Sequence, residues 1–286
     1  MFRSLIFVPG NSTRFVEKAK TLPADIVCFD LEDSVPDNDK DAARRMIAET
    51  LLAKRQDYAS HIYVRTNSPE SGLVLDDLKA VLQKGIDGIV VPKVNDASEM
   101  LEIKKHVLIL EKERKTDKIA LLPSIETARG VVNAYLIASA DERIKALVFG
   151  VFDFLYDMRL DYDEHDPSGY SYARAKIPVD ARAVGVYAID AIWQKIDDID
   201  GLIRDATMAR HLGYSGKSII HPSQIEPVHK VFRPSKNEVE WAKKVVQALG
   251  QAMDKGTGRG AVRLEGKMID AVHYKQAKTI LDAANA

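Results

Sequence analysis

A single cysteine, Cys28, stands in 286 residues, so the chain can form no intrachain disulfide and no cysteine cluster to hold a metal. It falls within the apolar run Ile26-Val27-Cys28-Phe29, where a small buried side chain is the expectation. An excess of one charge is also missing: 41 basic residues meet 42 acidic ones, for a formal net charge of −1. That removes the basic surplus on which nucleic-acid binding usually rests. The mixed runs Lys104-Lys105 and Glu111-Lys112-Glu113-Arg114-Lys115 read as one solvated helix face. No stretch approaches the roughly 18 unbroken apolar residues of a membrane span. Met1-Phe2-Arg3-Ser4 leads straight into a strand-like run without the regions of a signal peptide, so the cytoplasm, or the matrix of an organelle after processing, is the expected compartment. Two motifs are absent as well. No Gly-x-Gly-x-x-Gly follows the first strand, where the turn reads Val8-Pro9-Gly10-Asn11, and no nucleophile elbow or Ser/His/Asp arrangement supports acyl-enzyme chemistry.

What is present is a globular composition, 46% apolar and 29% charged, arranged as repeated strand–helix units. Short β-branched runs at Leu5–Val8, Ile26–Phe29, Ile62–Val64, Ile89–Val91, Ile119–Ile125, Leu147–Phe149, Val186–Ile189 and Ser218–Ile220 are each followed by residues of helical period. Those helices are expected near 12–20, 39–53, 73–82, 97–114, 128–139, 173–182, 202–212 and 222–231. Runs apolar on both faces fit parallel strands covered by helices. Eight units over about 230 residues fit an α/β fold of the (β/α)₈ TIM-barrel type, with an open doubly wound sheet as the competitor. The barrel is expected over 1–233. An extension over 234–286 is expected as a helix at 238–251, a glycine-rich turn (Gly256-x-Gly258-x-Gly260) and a last helix.

A barrel assembles its chemistry at the C-terminal ends of its strands, and polar residues collect there. Strand two runs into Asp30-Leu31-Glu32-Asp33, strand three into Arg65-Thr66-Asn67, and strand four into Pro92-Lys93. Strands five to eight are read as ending at Glu126, Asp153, Asp190 and His221. Two carboxylates at adjacent strand ends, Glu126 and Asp153, make a hard oxygen site that suits Mg²⁺; helix N-caps or surface charges are the bland alternative. Glu32 and Asp33 read as metal ligands, as partners of metal-bound water, or as a charge cluster at a helix entry. Arg65 leaves an apolar strand and must meet an anion, either a substrate oxygen or Glu32 or Asp33. His221, beside Pro222, reads as structural.

Taken jointly and in order, Ser4–Asn11, Asp30–Val35, Val64–Asn67, Val91-Pro92-Lys93, Ile125–Gly130, Phe149-Gly150-x-x-Asp153, Gly213–Lys217 with Ile220-His221-Pro222, and Gly266–Asp270 resemble the citrate lyase beta-subunit-like family of the HpcH/HpaI aldolase superfamily. The likeness covers nearly the whole chain. It implies a TIM barrel of the phosphoenolpyruvate/pyruvate type with a C-terminal helical lid, assembled as a homotrimer or hexamer. It implies Mg²⁺, with Mn²⁺ as a substitute, on Glu126 and Asp153. Arg65 then meets the thioester or enolate oxygen, Glu32 and Asp33 support the ion's water shell, and Asp270 is an acid/base in a neighbouring subunit's site, its tail given mobility by the glycine turn. The likeness is nearest to stand-alone citramalyl-CoA and malyl-CoA lyases. The implied reaction splits a short hydroxyacyl-CoA thioester into acetyl-CoA and a short keto acid, pyruvate or glyoxylate, with coenzyme A part of the substrate. A citrate lyase beta subunit working in a complex, a malate synthase or malyl-CoA thioesterase, and a non-catalytic binding barrel are the alternatives. Two departures stand out. Phe152 replaces a small or acidic residue before the second implied metal ligand, which bears on the acyl pocket, and Ala271 follows Asp270 where proline is frequent.

Overall fold

The computed structural model describes residues 2–163, 165–254 and 261–285. Its elements form two compact units, Met1–His229 and Lys230–Ala286. In the first, strands β1 (Ser4–Pro9), β2 (Ile26–Asp30), β3 (His61–Arg65), β4 (Gly88–Val91), β5 (Ala120–Ile125), β6 (Ala146–Phe149), β7 (Tyr187–Asp190) and β8 (Gly216–Ile219) close into one barrel. All neighbouring pairs are parallel, and closure is made by β1 on β8, with Leu5 opposite Ser218. Because side chains alternate across a strand, one set fills the barrel. Leu5, Ile26, Cys28, Tyr63, Val90, Leu122, Ala146, Val148 and Ile189 form that interior cluster, and Gly88 leaves room for the Tyr63 ring. Each fully buried Leu or Ile contributes about 1.5–3 kcal/mol. Cys28 lies wholly inside, and burial pushes its thiol up, consistent with a packing role.

The strands are covered by α1 (Thr13–Ala19), α2 (Lys40–Lys54), α3 (Val74–Val81), α4 (Ala97–Arg114), α5 (Ala128–Ser139), α6 (Val151–Asp157), α7 (Ser168–Ala183), α8 (Ile199–Leu212) and α9 (Ile225–Phe232). Side-chain caps fix several entries: Ser12 accepts from the Phe15 N–H, Asp96 from Ser98 and Glu99, and Thr127 from Gly130. Helices α4 and α5 have the bounds read from their periodicity. The helix expected at 173–182 begins at Ser168, because Ser168, Gly169 and Ser171 around the single buried Tyr170 give its first turn no clear apolar pattern. Among the described residues no helix is long and apolar enough to cross a membrane.

Asp190, read from sequence as a polar strand end, is consumed in a buried brace. Arg174 Nη2 and Lys217 Nζ reach Asp190 Oδ2 at 2.6 and 2.7 Å, and Lys217 also meets Asp205 at 2.5 Å. The network ties β7 and β8 to α7 and α8, and its charges tolerate burial because each is paired.

The second unit holds α10 (Lys236–Asp254), an antiparallel hairpin of β9 (Ala261–Leu264) and β10 (Lys267–Asp270), and α11 (Ala271–Asn285). The hairpin corrects the expectation of helices and a glycine turn alone. Its turn, Glu265-Gly266, carries positive φ at both residues (48° and 81°), the geometry of a two-residue hairpin loop. Ala242, Val245, Leu249, Ile269 and Ala277 form this unit's own core. The expected mobile turn at Gly256–Gly260 lies outside the described residues.

Candidate active site

The C-terminal mouth of the barrel opens on a cavity of about 430 Å³. Arg65, the last residue of β3, sits in it with Nε and Nη2 on the two carboxylate oxygens of Asp30, at 2.6 and 2.7 Å. Nη1 lies 3.0 Å from Glu32 Oε2, as an ion pair without hydrogen-bond geometry, and 3.6 Å from Asp33. The guanidinium also lies over the Phe7 ring, 4.6 Å from its centroid. Sequence reading had Arg65 meeting a substrate or Glu32 or Asp33. Its principal partner is Asp30, the inward-facing neighbour in register on β2. A bidentate fork of this kind fixes the guanidinium plane.

Asp30 is wholly buried, and burial raises its carboxyl. The charge and hydrogen bonds of Arg65, with further donors from Ser34 and the Glu32 N–H, outweigh that and bring it down to about 2 from its ordinary 3.8. A folded value below the unfolded one stabilises fully above about pH 4 and is lost as pH falls through about 2, with a magnitude of about 2 kcal/mol. Asp30→Asn should therefore be less stable than wild type at pH 6, and the gap should shrink between about pH 4 and 2. Urea unfolding followed by circular dichroism at each pH measures it. Parallel curves for the two proteins across that window would remove Asp30 as the titrating group.

Lys93 was expected among the polar strand ends but was given no role in the site. It follows Pro92 at the end of β4 with φ of 54°, a left-handed conformation that costs energy for a residue with a Cβ. The turn aims its N–H at Glu126 Oε2, 3.0 Å away. Its ammonium reaches Glu32 Oε1 at 2.6 Å, Asp153 Oδ1 at 3.3 Å and Asp33 Oδ1 at 3.4 Å. The available signal was a lysine at a strand's C-terminal end beside several acidic strand ends.

Glu126 follows β5 directly and is 4% exposed. It does not cap α5; Thr127 does, which disposes of the bland reading of this carboxylate. A Cβ at position 150 would come within 2.6 Å of Glu126 Oε1, so Gly150 makes the space for it. Asp153 does not end strand six. β6 stops at Phe149, and Asp153 stands in the first turn of α6, partly exposed. Burial, then the charges of Glu32 and Asp153, push the Glu126 carboxyl up to about 8. The mouth thus gathers Glu32, Asp33, Glu126 and Asp153 with Arg65 and Lys93. His221 lies apart from this chemistry, capping the turn before α9 through Nδ1.

Five carboxylates, Asp30 included, face two cations here, a surplus that a divalent cation would relieve. The donor set is oxygen only, which fits a hard ion. Among the described residues no cluster of three or more His, Cys, Asp or Glu side chains is arranged to hold a metal. An ion on Glu126 and Asp153 would therefore take its remaining ligands from substrate and water, the usual habit of Mg²⁺.

Considered by itself, the second unit presents Asp270 at the end of β10, 39% exposed at the side chain. Its Oδ1 lies 2.7 Å from His273 Nδ1 and accepts from the Val272 N–H at 3.0 Å. The His273 hydrogen bond leads the effects that hold this carboxyl below its ordinary value. His273 was not anticipated as a partner.

A closed parallel barrel with an acidic, arginine-bearing mouth defines the class, and comparison with known proteins places the chain within it. The model of the HpcH/HpaI aldolase/citrate lyase family matches residues 3–222, and the chain belongs to that family. It is 36% identical to the citrate lyase subunit beta of Leuconostoc mesenteroides subsp. cremoris, over 99% of this chain and 93% of that protein. It is 33% identical to the mitochondrial citramalyl-CoA lyase of Rattus norvegicus, over 99% of this chain and 86% of that one. Among solved structures it resembles CitE from Mycobacterium tuberculosis in complex with magnesium, acetoacetate and coenzyme A, with a TM-score of 0.79 and 28% identity, covering 100% of this chain and 98% of that one. The expectation of an enzyme of the carbon–carbon lyase type agrees with the family and with the names of these relatives.

Proposed function

We propose that the chain cleaves a short hydroxyacyl-CoA thioester, citramalyl-CoA or malyl-CoA, into acetyl-CoA and pyruvate or glyoxylate. The observation that carries this is the mouth itself: Glu126 and Asp153 beside an arginine whose plane is fixed by Asp30 and Phe7. Glu126 and Asp153 would hold Mg²⁺, with Mn²⁺ able to replace it. When bound, the ion would lower the pKa of the substrate hydroxyl and neutralise the adjacent carboxylate. The hydroxyl proton leaves to solvent, the oxygen's electron pair forms the keto C=O, and the carbon–carbon bond breaks. The released pair becomes the thioester enolate.

Arg65 has N–H groups left over after its bonds to Asp30. They donate to the oxygen on which enolate charge develops, and because the guanidinium is already oriented, little reorganisation is needed at that moment. Glu32 and Asp33, tied to Lys93, would orient the water that completes the ion's shell. Asp270 relays a proton taken up from solvent to the enolate carbon, giving the acetyl methyl group, and returns to the carboxylate that His273 and the Val272 N–H stabilise. In this reading residues 1–233 are the catalytic barrel, 234–286 are a lid, and Asp270 serves a neighbouring subunit of a homotrimer or hexamer.

The test is the purified chain alone with citramalyl-CoA or malyl-CoA and Mg²⁺, products resolved by liquid chromatography. Acetyl-CoA and the keto acid should form in equal amounts, and chelation should stop the reaction. Free CoA in place of acetyl-CoA would show hydrolysis instead. Absence of any cleavage of either thioester would overturn the reading.

A further inference from the structure

The cavity lining mixes two kinds of residue: the charged Asp30, Asp33, Arg65, Glu126 and Asp153, and the apolar Val148, Phe152, Ile192 and Ile220, with Phe7 under the Arg65 guanidinium and Ser218 adding a hydroxyl. Arg65 is the one cationic side chain lining the cavity among the described residues, and two of its nitrogens are already committed to Asp30. Lys93 is not among the lining residues, and its ammonium is shared between Glu32, Asp33 and Asp153. Among the described residues lining the cavity no further cation is offered to a second carboxylate on the substrate, which would meet apolar side chains or a surplus of negative charge. Phe152 is itself packed: its ring lies 4.9 Å from the Tyr162 ring, which stacks on Tyr170. Ser218 is 2% exposed, faces the barrel interior opposite Leu5, and its Oγ has no hydrogen-bond partner. An unmatched buried hydroxyl lining a ligand cavity is a group waiting for a polar atom.

We infer that the site selects a hydroxyacyl thioester whose cleaved end is a monocarboxylate bearing an uncharged alkyl substituent. The apolar lining residues receive the substituent, and Ser218 hydrogen-bonds the keto acid's carboxylate or carbonyl. Citramalyl-CoA, with its methyl group, fits. Citryl-CoA carries a carboxymethyl group there, whose charge finds no cationic partner among the described lining residues. The inference rests on the lyase reading and narrows it.

Discrimination against an unpaired charge exceeds that of a single methylene, which is worth 10–200-fold. The expected kcat/KM for citramalyl-CoA is therefore about 100-fold or more above that for citryl-CoA in the purified full chain with Mg²⁺. Ile192→Lys, which adds a cation to the cavity lining, should narrow that ratio at least about tenfold. Ser218→Ala should weaken pyruvate binding to the Mg²⁺-loaded protein about tenfold or more by calorimetry, the size of a hydrogen bond to a charged group. Comparable kcat/KM for the two thioesters would overturn the selection while leaving the lyase reading intact. Unchanged pyruvate affinity in Ser218→Ala would remove the serine from it. Cleavage of neither thioester would overturn both readings together.

Discussion

Glu126→Gln and Asp153→Asn should each lower kcat by about 10³-fold or more, because a metal ion's charge stabilisation is worth several kcal/mol. The fold should survive, and for Glu126 the reason is quantitative in sign. Its folded pKa of about 8 lies above the ordinary 4.5, so keeping it charged at neutral pH without metal opposes folding. That penalty begins as pH rises above about 4.5 and is complete above about 8. Metal-free Glu126→Gln should thus be at least as stable as wild type at pH 7.5. Addition of Mg²⁺ should raise the Tm of wild type, since an ion that binds only the folded state stabilises it, and should leave both variants unmoved. Thermal unfolding with and without Mg²⁺ measures this independently of turnover. A variant that keeps the Mg²⁺-dependent rise in Tm would lose its place as a ligand.

The barrel was legible because eight runs apolar on both faces alternate with helical periods, a pattern that few other folds produce. Helices α4 and α5 match their expected bounds, and Asp96 and Thr127 fix where they start by capping them. The hairpin of β9 and β10 was missed because its strands are four residues each, mostly not fully buried, and so lack a strong alternation. The acidic residues of the mouth were legible as polar strand ends. What joins them was not. Asp30 looked like part of an acidic run until the register of β2 on β3 placed it opposite Arg65. Lys93 stood among the polar strand ends without a role, because nothing in one sequence reveals that its φ is positive or that four carboxylates converge within reach of its side chain and amide. Strand ends identify which residues share a mouth. Pairing across it depends on register and turn geometry, which a one-residue difference reverses.

Mixing two inactive variants tests the shared site directly. Arg65→Ala removes the enolate donor but leaves Asp270 intact; Asp270→Asn keeps the barrel mouth but loses the acid. Asp270→Asn should still bind Mg²⁺ and pyruvate, yet no longer exchange the methyl protons of acetyl-CoA with solvent deuterium, since that exchange requires a base at carbon. Arg65→Ala fails for a separate reason, so each variant alone should fall at least about 10²-fold below wild type, the cost of removing such a donor or acid/base. If Asp270 serves a neighbour, subunit exchange between the two creates sites that pair an intact mouth with an intact tail. Random mixing in equal amounts gives about a quarter of all sites that composition, and activity should recover to about a quarter of the wild-type value, since each heterologous contact of a closed ring draws its two partners independently. Native mass spectrometry of isotope-labelled subunits establishes that exchange has taken place. Full exchange with no recovery of activity would place Asp270 in its own subunit's chemistry or outside the reaction, and a wild-type level of deuterium exchange in Asp270→Asn would remove it as the acid.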